Sequence, residues 1–309
     1  SLSEIARFRG IGPLEPFLND NGYANLRNHD FWQQLAQHGR NHADARDEAF
    51  RLFSQYGGYP FAHSTPHTDL TSLNERINEN VVQRMLRYDL QGSLLHPDLD
   101  PQILSLVFSL ACRYAGQAPS YSSLAQQINR PFDDVDAPQV ANCMEFLDDT
   151  MIIRLIHPLE FRLQRPDQRP KICLADHTIR ATQLDEPVPL APAQLTDDPN
   201  LATIAGHLAE STFGAALADA PSLSIHHQPQ RGSTAEIDYI ISVGDHRVPV
   251  EVKYQRNVDL NRDARALWEF IAEPANRATF GIVITRTDVA TPQGSNIVAV
   301  PLSTLLLLF

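Results

Sequence analysis

A chain of 309 residues with 43% hydrophobic content is long enough for two or three domains. Its formal net charge of -12 speaks against a protein that coats nucleic acid, because non-specific affinity comes from neutralising phosphates with Lys and Arg. Three widely spaced cysteines (Cys112, Cys143, Cys173) make neither a disulfide framework nor a zinc pattern, which fits a reducing, cytoplasmic setting.

Residues 1–45 mix turn signals (GIGP, NDNG) with a helix-like piece around Phe31 to His38. The first residues lack the continuous apolar core of a signal peptide, and the chain opens on Ser, as a fragment would. From Arg46 to Tyr56 a periodic run predicts a helix that stops at Gly57-Gly58-Tyr59-Pro60. Thr71 to Leu90 has apolar residues at helical spacing, and Pro101 to Tyr114, Ser122 to Asn129 and Ala137 to Asp148 follow as three more helices. Pro101 suits a first turn, and Ser120 or Ser122 can cap the next helix. Met151 to Ile156 reads as a strand with Lys171 to Leu174 as its partner, so helices followed by a hairpin give the order of a winged helix.

Glu186 to Pro199 carries four prolines in fourteen residues and is the best candidate linker. Beyond it, Leu201 to Leu217 reads as a helix and Leu223 to His227 as a short strand. Ile237 to Val243 and Arg247 to Tyr254 form a hairpin turning at Gly244-Asp245-His246. Asp259 to Ala272 reads as a helix, and Gly281 to Thr285 and Ile297 to Val300 as strands. The fold class expected is therefore α+β multidomain: a helical, winged-helix-like domain at 46–185, then a compact α/β unit at 196–309. No run approaches the roughly 18 apolar residues of a membrane helix, so no membrane partner is expected. The terminal LSTLLLLF reads as a buried helix or strand.

The hairpin carries the chemistry. On a strand, Glu251 and Lys253 share a face, and Asp238 arrives from a strand about 5 Å away. Asp238 and Glu251 can share one Mg2+ or Mn2+, hard cations that prefer oxygen ligands, and Glu210 from the preceding helix can complete the set. Lys253 would then orient a metal-bound water or stabilise charge developing on phosphate, which is the chemistry of phosphodiester hydrolysis. The plain alternative is a hairpin whose polar face merely alternates with its core face. Against it, 23 of the 25 basic residues are arginine and only Lys171 and Lys253 are lysine, so a lysine in this motif points to a need for an amine.

This segment resembles the PD-(D/E)XK, or restriction-endonuclease-like, superfamily, with Glu210, Asp238, Glu251 and Lys253 on its motif positions; the PD itself is absent, since Ile237 precedes Asp238. The wider chain resembles the C-terminal region of a prokaryotic AAA-type ATPase family over residues 43–309. The matching pieces are Gly57-Gly58-Tyr59-Pro60, Lys171-Ile172-Cys173-Leu174-Ala175-Asp176, Glu210, Arg231 with Glu236 and Asp238, and Glu251-Val252-Lys253. The resemblance implies that residues 1–45 end an upstream ATPase module or form an irregular extension. ATP would act only through that module, because the chain has no P-loop sequence.

Arg231 and Arg256 are candidate phosphate contacts, so nucleic acid is an expected partner at the nuclease-like domain. From Pro131 to Ile153 there are six acids and no Lys or Arg, so the third helix of the winged-helix-like segment is unsuited to phosphate and points instead to other domains or subunits. The pairs His38 and His42, interrupted by Gly39, and His226 and His227, facing opposite ways on a strand, do not make zinc sites. No serine-hydrolase elbow is present. Three functions remain open: a metal-dependent nuclease acting as the effector of an ATPase, an inactive nuclease fold kept as a nucleic-acid or protein platform, and an oligomerisation region.

Overall fold

Strands form where β-branched residues run together. In the computed structural model β1 (Ile153–Ile156) and β2 (Lys171–Leu174) pair antiparallel. The sequence then supplies β3 (Ser224–Gln228), β4 (Ile237–Val243), β5 (His246–Lys253), β6 (Gly281–Thr285) and β7 (Ile297–Pro301), which lie side by side in chain order. The first three are antiparallel, whereas β5, β6 and β7 run parallel. The structure describes residues 1–18, 22–64, 69–92, 96, 99–129, 135–159, 169–195, 198–218, 220, 223–230, 232 and 235–309.

Helices take up most of the rest, giving a mixed α+β chain. Pro101–Arg113, Tyr121–Ile128 and Ala137–Asp149 stand within a residue or two of the expected bounds, each capped by Asp100, Ser120 or Asp136. Asp259 to Ala272 is not one helix: it breaks at buried Ala264 into Leu260–Asp263 and Arg265–Ala272. The helix expected over Thr71 to Leu90 begins as the α-helix Leu70–Ile77. It then widens into π-turns at Asn78–Val82 and Met85–Asp89.

The N-terminal region is more regular than its turn signals suggest. Leu2–Arg9 is a helix closed by a capping box between Ser1 and Glu4, and His29–Asn41 and Ala43–Tyr56 follow. Gly39 does not interrupt a helix. It lies inside His29–Asn41, where a Cβ would stand 2.2 Å from the Thr304 hydroxyl, so the glycine lets that helix meet the C-terminal turn Leu302–Leu305. The terminal apolar run is buried, as expected.

One apolar core joins these parts. It runs from Leu2 and Trp32 through Leu104 and Phe146 to Tyr239, Val250 and Leu305, on one face of the five-stranded sheet. A smaller cluster, with Ile240, Val283, Leu267 and Phe270, packs the helix Arg265–Ala272 on the other face. The proline-rich stretch is not a free linker. Ser54 Oγ accepts hydrogen bonds from the backbone N–H of Leu190 (2.8 Å) and Ala191 (3.0 Å), and the Tyr254 hydroxyl donates to the Leu190 carbonyl. Leu190 is fully buried, so the prolines shape a strap bound to the core.

Candidate functional site

The ladder between β4 and β5 ends at Tyr239 and Val250. One step further on, the Val252 N–H donates not to a backbone carbonyl but to Asp238 Oδ2, at 2.9 Å. The aspartate thus continues the pairing with its side chain where the strands part. An open cleft of about 880 Å3 lies at this point, beside the carboxyl end of β5.

All four expected residues line it: Glu210 from the helix Pro199–Ala218, Asp238 from β4, and Glu251 and Lys253 from β5. A fifth residue stands at the inner end of this group. Lys171 Nζ, on β2, lies 2.7 Å from Glu210 Oε2 and 3.1 Å from Asp238 Oδ1, and its side chain is only 3% exposed. It also lies 4.7 Å above the ring of Tyr239, a geometry in which the ring quadrupole favours a cation. Lys253 makes a separate pair with Glu251, at 2.7 Å, and keeps a third of its side chain exposed.

Local packing places Glu210 against Lys171. Ser211 Oγ accepts from the Leu174 N–H at 2.8 Å, and the Tyr239 hydroxyl donates to the Glu210 carbonyl at 2.7 Å. Gly214 allows this approach, since a Cβ there would stand 2.3 Å from Cys173 Sγ and 2.8 Å from the Tyr239 hydroxyl. The β2 strand is held from the other side as well: Gly116 N–H donates to the Ile172 carbonyl (2.7 Å), and Ile172 N–H to that of Gln117 (2.9 Å).

The two lysines polarise the carboxylates differently. Burial opposes charge on Asp238, yet Lys171 and the Val252 N–H hold its carboxyl below the ordinary value. Burial opposes charge on Lys171 too, and Asp238 and Glu210 more than reverse this, so its amine is held above the usual range. Glu251 goes the other way. Burial and the neighbouring Asp238 push it up to about 8, with Lys253 only partly compensating. Nearby His227 is buried, hydrogen-bonds the Arg169 carbonyl at 2.9 Å, and is pushed down to about 4 by burial and by Lys171.

These residues do not fit a divalent metal in this arrangement. Glu210 and Asp238 each give an oxygen to an ammonium group, and Asp238's other oxygen serves the β5 backbone. Among the described residues no group of three or more His, Cys, Asp or Glu is placed to hold a metal ion. Of the expected phosphate contacts, Arg231 lies outside the described residues, and Arg256 is exposed after β5 and does not line the cleft. Arg262 and Arg265 do line it, paired with Asp263 (2.8 Å) and Glu269 (2.9 Å). Sequence reasoning missed Lys171 as a site residue, although the scarcity of lysine that singled out Lys253 applied equally to it.

Two family comparisons divide the chain at this cleft. Residues 47–188 match a domain of unknown function, DUF8612. Residues 205–305 match another, DUF4143, a domain found in AAA-ATPase-associated C-terminal regions. No curated protein matches the chain. Among solved structures it is similar to protein VC1899 from Vibrio cholerae, at 12% identity and a TM-score of 0.23 over 68% of this chain. The chain spans about half of that protein, 54% of its length. Lys171 lies in the first matched segment and Glu210, Asp238, Glu251 and Lys253 in the second. No helix among the described residues is long and apolar enough to cross a membrane.

Proposed function

We propose that this chain is the C-terminal effector region of an AAA-type ATPase, in which a restriction-endonuclease-like fold serves as a binding platform and its acidic cluster acts as an ionic clamp. The observation that carries this reading is the position of Lys171 Nζ, within 3.1 Å of both Glu210 and Asp238, where an active nuclease would need those oxygens for a metal. The α-β-β-β-α-α-β-β order of residues 199–301 supports the nuclease-like fold. Three helices followed by the β1–β2 pair support the winged-helix-like segment, and the DUF4143 match supports the link to an ATPase.

The partner that suits the cleft is protein rather than nucleic acid. Its lining carries six carboxylates against four amine or guanidinium groups, and Arg262 and Arg265 are already engaged by neighbouring acids. A polyphosphate backbone would meet net negative charge there. Lys253, at the mouth, is held by Glu251 and keeps a third of its side chain exposed, while the buried clamp holds the platform in shape.

The test is nicking of supercoiled plasmid and of branched DNA in Mg2+ or Mn2+, with Asp238→Ala and Lys253→Ala beside the unaltered chain. The expected result is no cleavage by any of the three. Cleavage by the unaltered chain that disappears in both variants would establish a metal-dependent nuclease and overturn the platform reading.

A further inference from the structure

We infer that Lys171 is the resident counter-cation of the carboxylate cluster, delivered to it by the β2 strand from the neighbouring segment, and that it keeps divalent cations out. The inference rests on reading the cluster as a closed clamp, and it adds a cause: the cluster is closed because one amine fills it.

Three observations carry it. First, the carboxylates themselves are competent oxygen donors. Glu210, Asp238 and Glu251 line one cleft from a helix and two strands, forming no metal-holding group while Lys171 stands against two of them, and buried carboxylates in one cleft require a cation of some kind. Secondly, the amine supplying that charge belongs to neither of those elements. Lys171 sits at the start of a four-residue strand within the 47–188 segment, and its ammonium reaches Glu210 and Asp238 with almost no solvent contact. Thirdly, the strand is tied to both sides of the cleft, through Gly116 and Gln117 on one side and Ser211 on the other. These ties hold the amine against Glu210 and Asp238.

Ammonium and a hard divalent cation compete for the same oxygens, so the chain as it stands should reject Mn2+, and removing the amine should admit it. The cation that the opened cluster would take is of the Mg2+ or Mn2+ class, given its all-carboxylate donors.

The experiment is Mn2+ titration of the full chain by calorimetry, using the unaltered protein, Lys171→Met and Lys171→Gln, each checked for native circular dichroism. The expected result is no saturable binding by the unaltered chain and one Mn2+ per chain in the variants, at least tenfold tighter, lost again when Asp238→Asn is added. A folded variant that binds no better than the unaltered chain overturns the inference. Should neither variant fold, the unaltered chain still decides: a Mn2+-dependent rise in its urea midpoint that Asp238→Asn removes would show that Lys171 does not guard the cluster. That result without plasmid cleavage would leave the platform reading standing, whereas cleavage by the unaltered chain would remove the platform reading itself.

Discussion

The two lysines of this chain occupy opposite ends of one acidic cluster and live in different electrostatic worlds. Lys171 is buried, shared between two carboxylates and backed by an aromatic ring. Lys253 is one-third exposed and holds a single carboxylate whose own charge is resisted by burial and by Asp238. Identical chemistry therefore yields a permanent ion pair at the inner end and a proton-dependent one at the mouth. Solvent access and the number of partners make the difference, because desolvation must be repaid by charge and hydrogen bonds close at hand.

The strongest way to break the comparison is to remove the inner amine. Lys171→Met leaves Glu210 and Asp238 facing each other without a cation, and breaking a buried pair in this way costs roughly 3–5 kcal/mol. Urea unfolding at pH 7 measures it, and Asp238→Asn added to the variant should restore part of the loss. The pair should act over a wide pH range. The raised Lys171 amine contributes stability that is complete below the unfolded lysine value and is lost only as pH rises through its folded value. The lowered Asp238 contributes stability present above the unfolded aspartate value and lost as pH falls. An unchanged midpoint in Lys171→Met would show that the inner pair is no different from a surface one.

Glu251 should impose the opposite slope. Its carboxyl is raised to about 8 in the folded chain, so the folded state holds a proton that the unfolded state has released. Stability should therefore decline as pH rises from the unfolded glutamate value to about 8 and level off above it, by roughly 4–5 kcal/mol. Glu251→Gln should flatten that decline. If both proteins show the same pH profile, the glutamate is ionised throughout and the mouth resembles the inner end.

A third change tests how the inner end is built rather than its charge. Gly214→Ala inserts a Cβ between Cys173 and Tyr239, both buried, and overpacking of this kind costs typically 1–3 kcal/mol. Pushing the helix outward also draws Glu210 away from Lys171. A Tyr239→Phe background, which removes the hydroxyl that the Cβ would meet, should recover part of the loss in thermal unfolding.

Much of this fold was legible in local sequence, and the site only by halves. The strands Lys171–Leu174, Ile237–Val243 and Gly281–Thr285 fall where β-branched runs predicted them, because both their faces are buried and the apolar signal is continuous. Glu210, Asp238, Glu251 and Lys253 share one cleft because period-two strands and a flanking helix leave little choice. Lys171 reads as a rare lysine on a strand that belongs to the resemblance but not as a site residue, since nothing local says which distant element a strand's first residue will face. Ser1 and Glu4 have the spacing of a capping box and mark the first helix, whereas Gly39 reads as a breaker because its partner Thr304 lies at the other end of the chain. For Lys171 and Gly39 the missing information is a tertiary contact, which local propensity does not contain, whereas the signal for the first helix is local.

The smallest expected effect lies at the mouth and is the most diagnostic in its pH dependence. At pH 6.5 Glu251 is largely protonated, given its value of about 8, so Lys253 has little charge to pair with and Lys253→Met should cost under about 0.5 kcal/mol. Above pH 8 the carboxylate is formed, the ion pair with Lys253 becomes real, and the same substitution should cost about 1 kcal/mol. Since Lys253 lowers the Glu251 value, its loss should also move the sloping part of the stability profile to higher pH. A cost that grows from pH 6.5 to 9 marks a proton-dependent pair at the mouth. A cost constant across that range would make Lys253 a packing residue, and the contrast with Lys171 would then reduce to depth of burial.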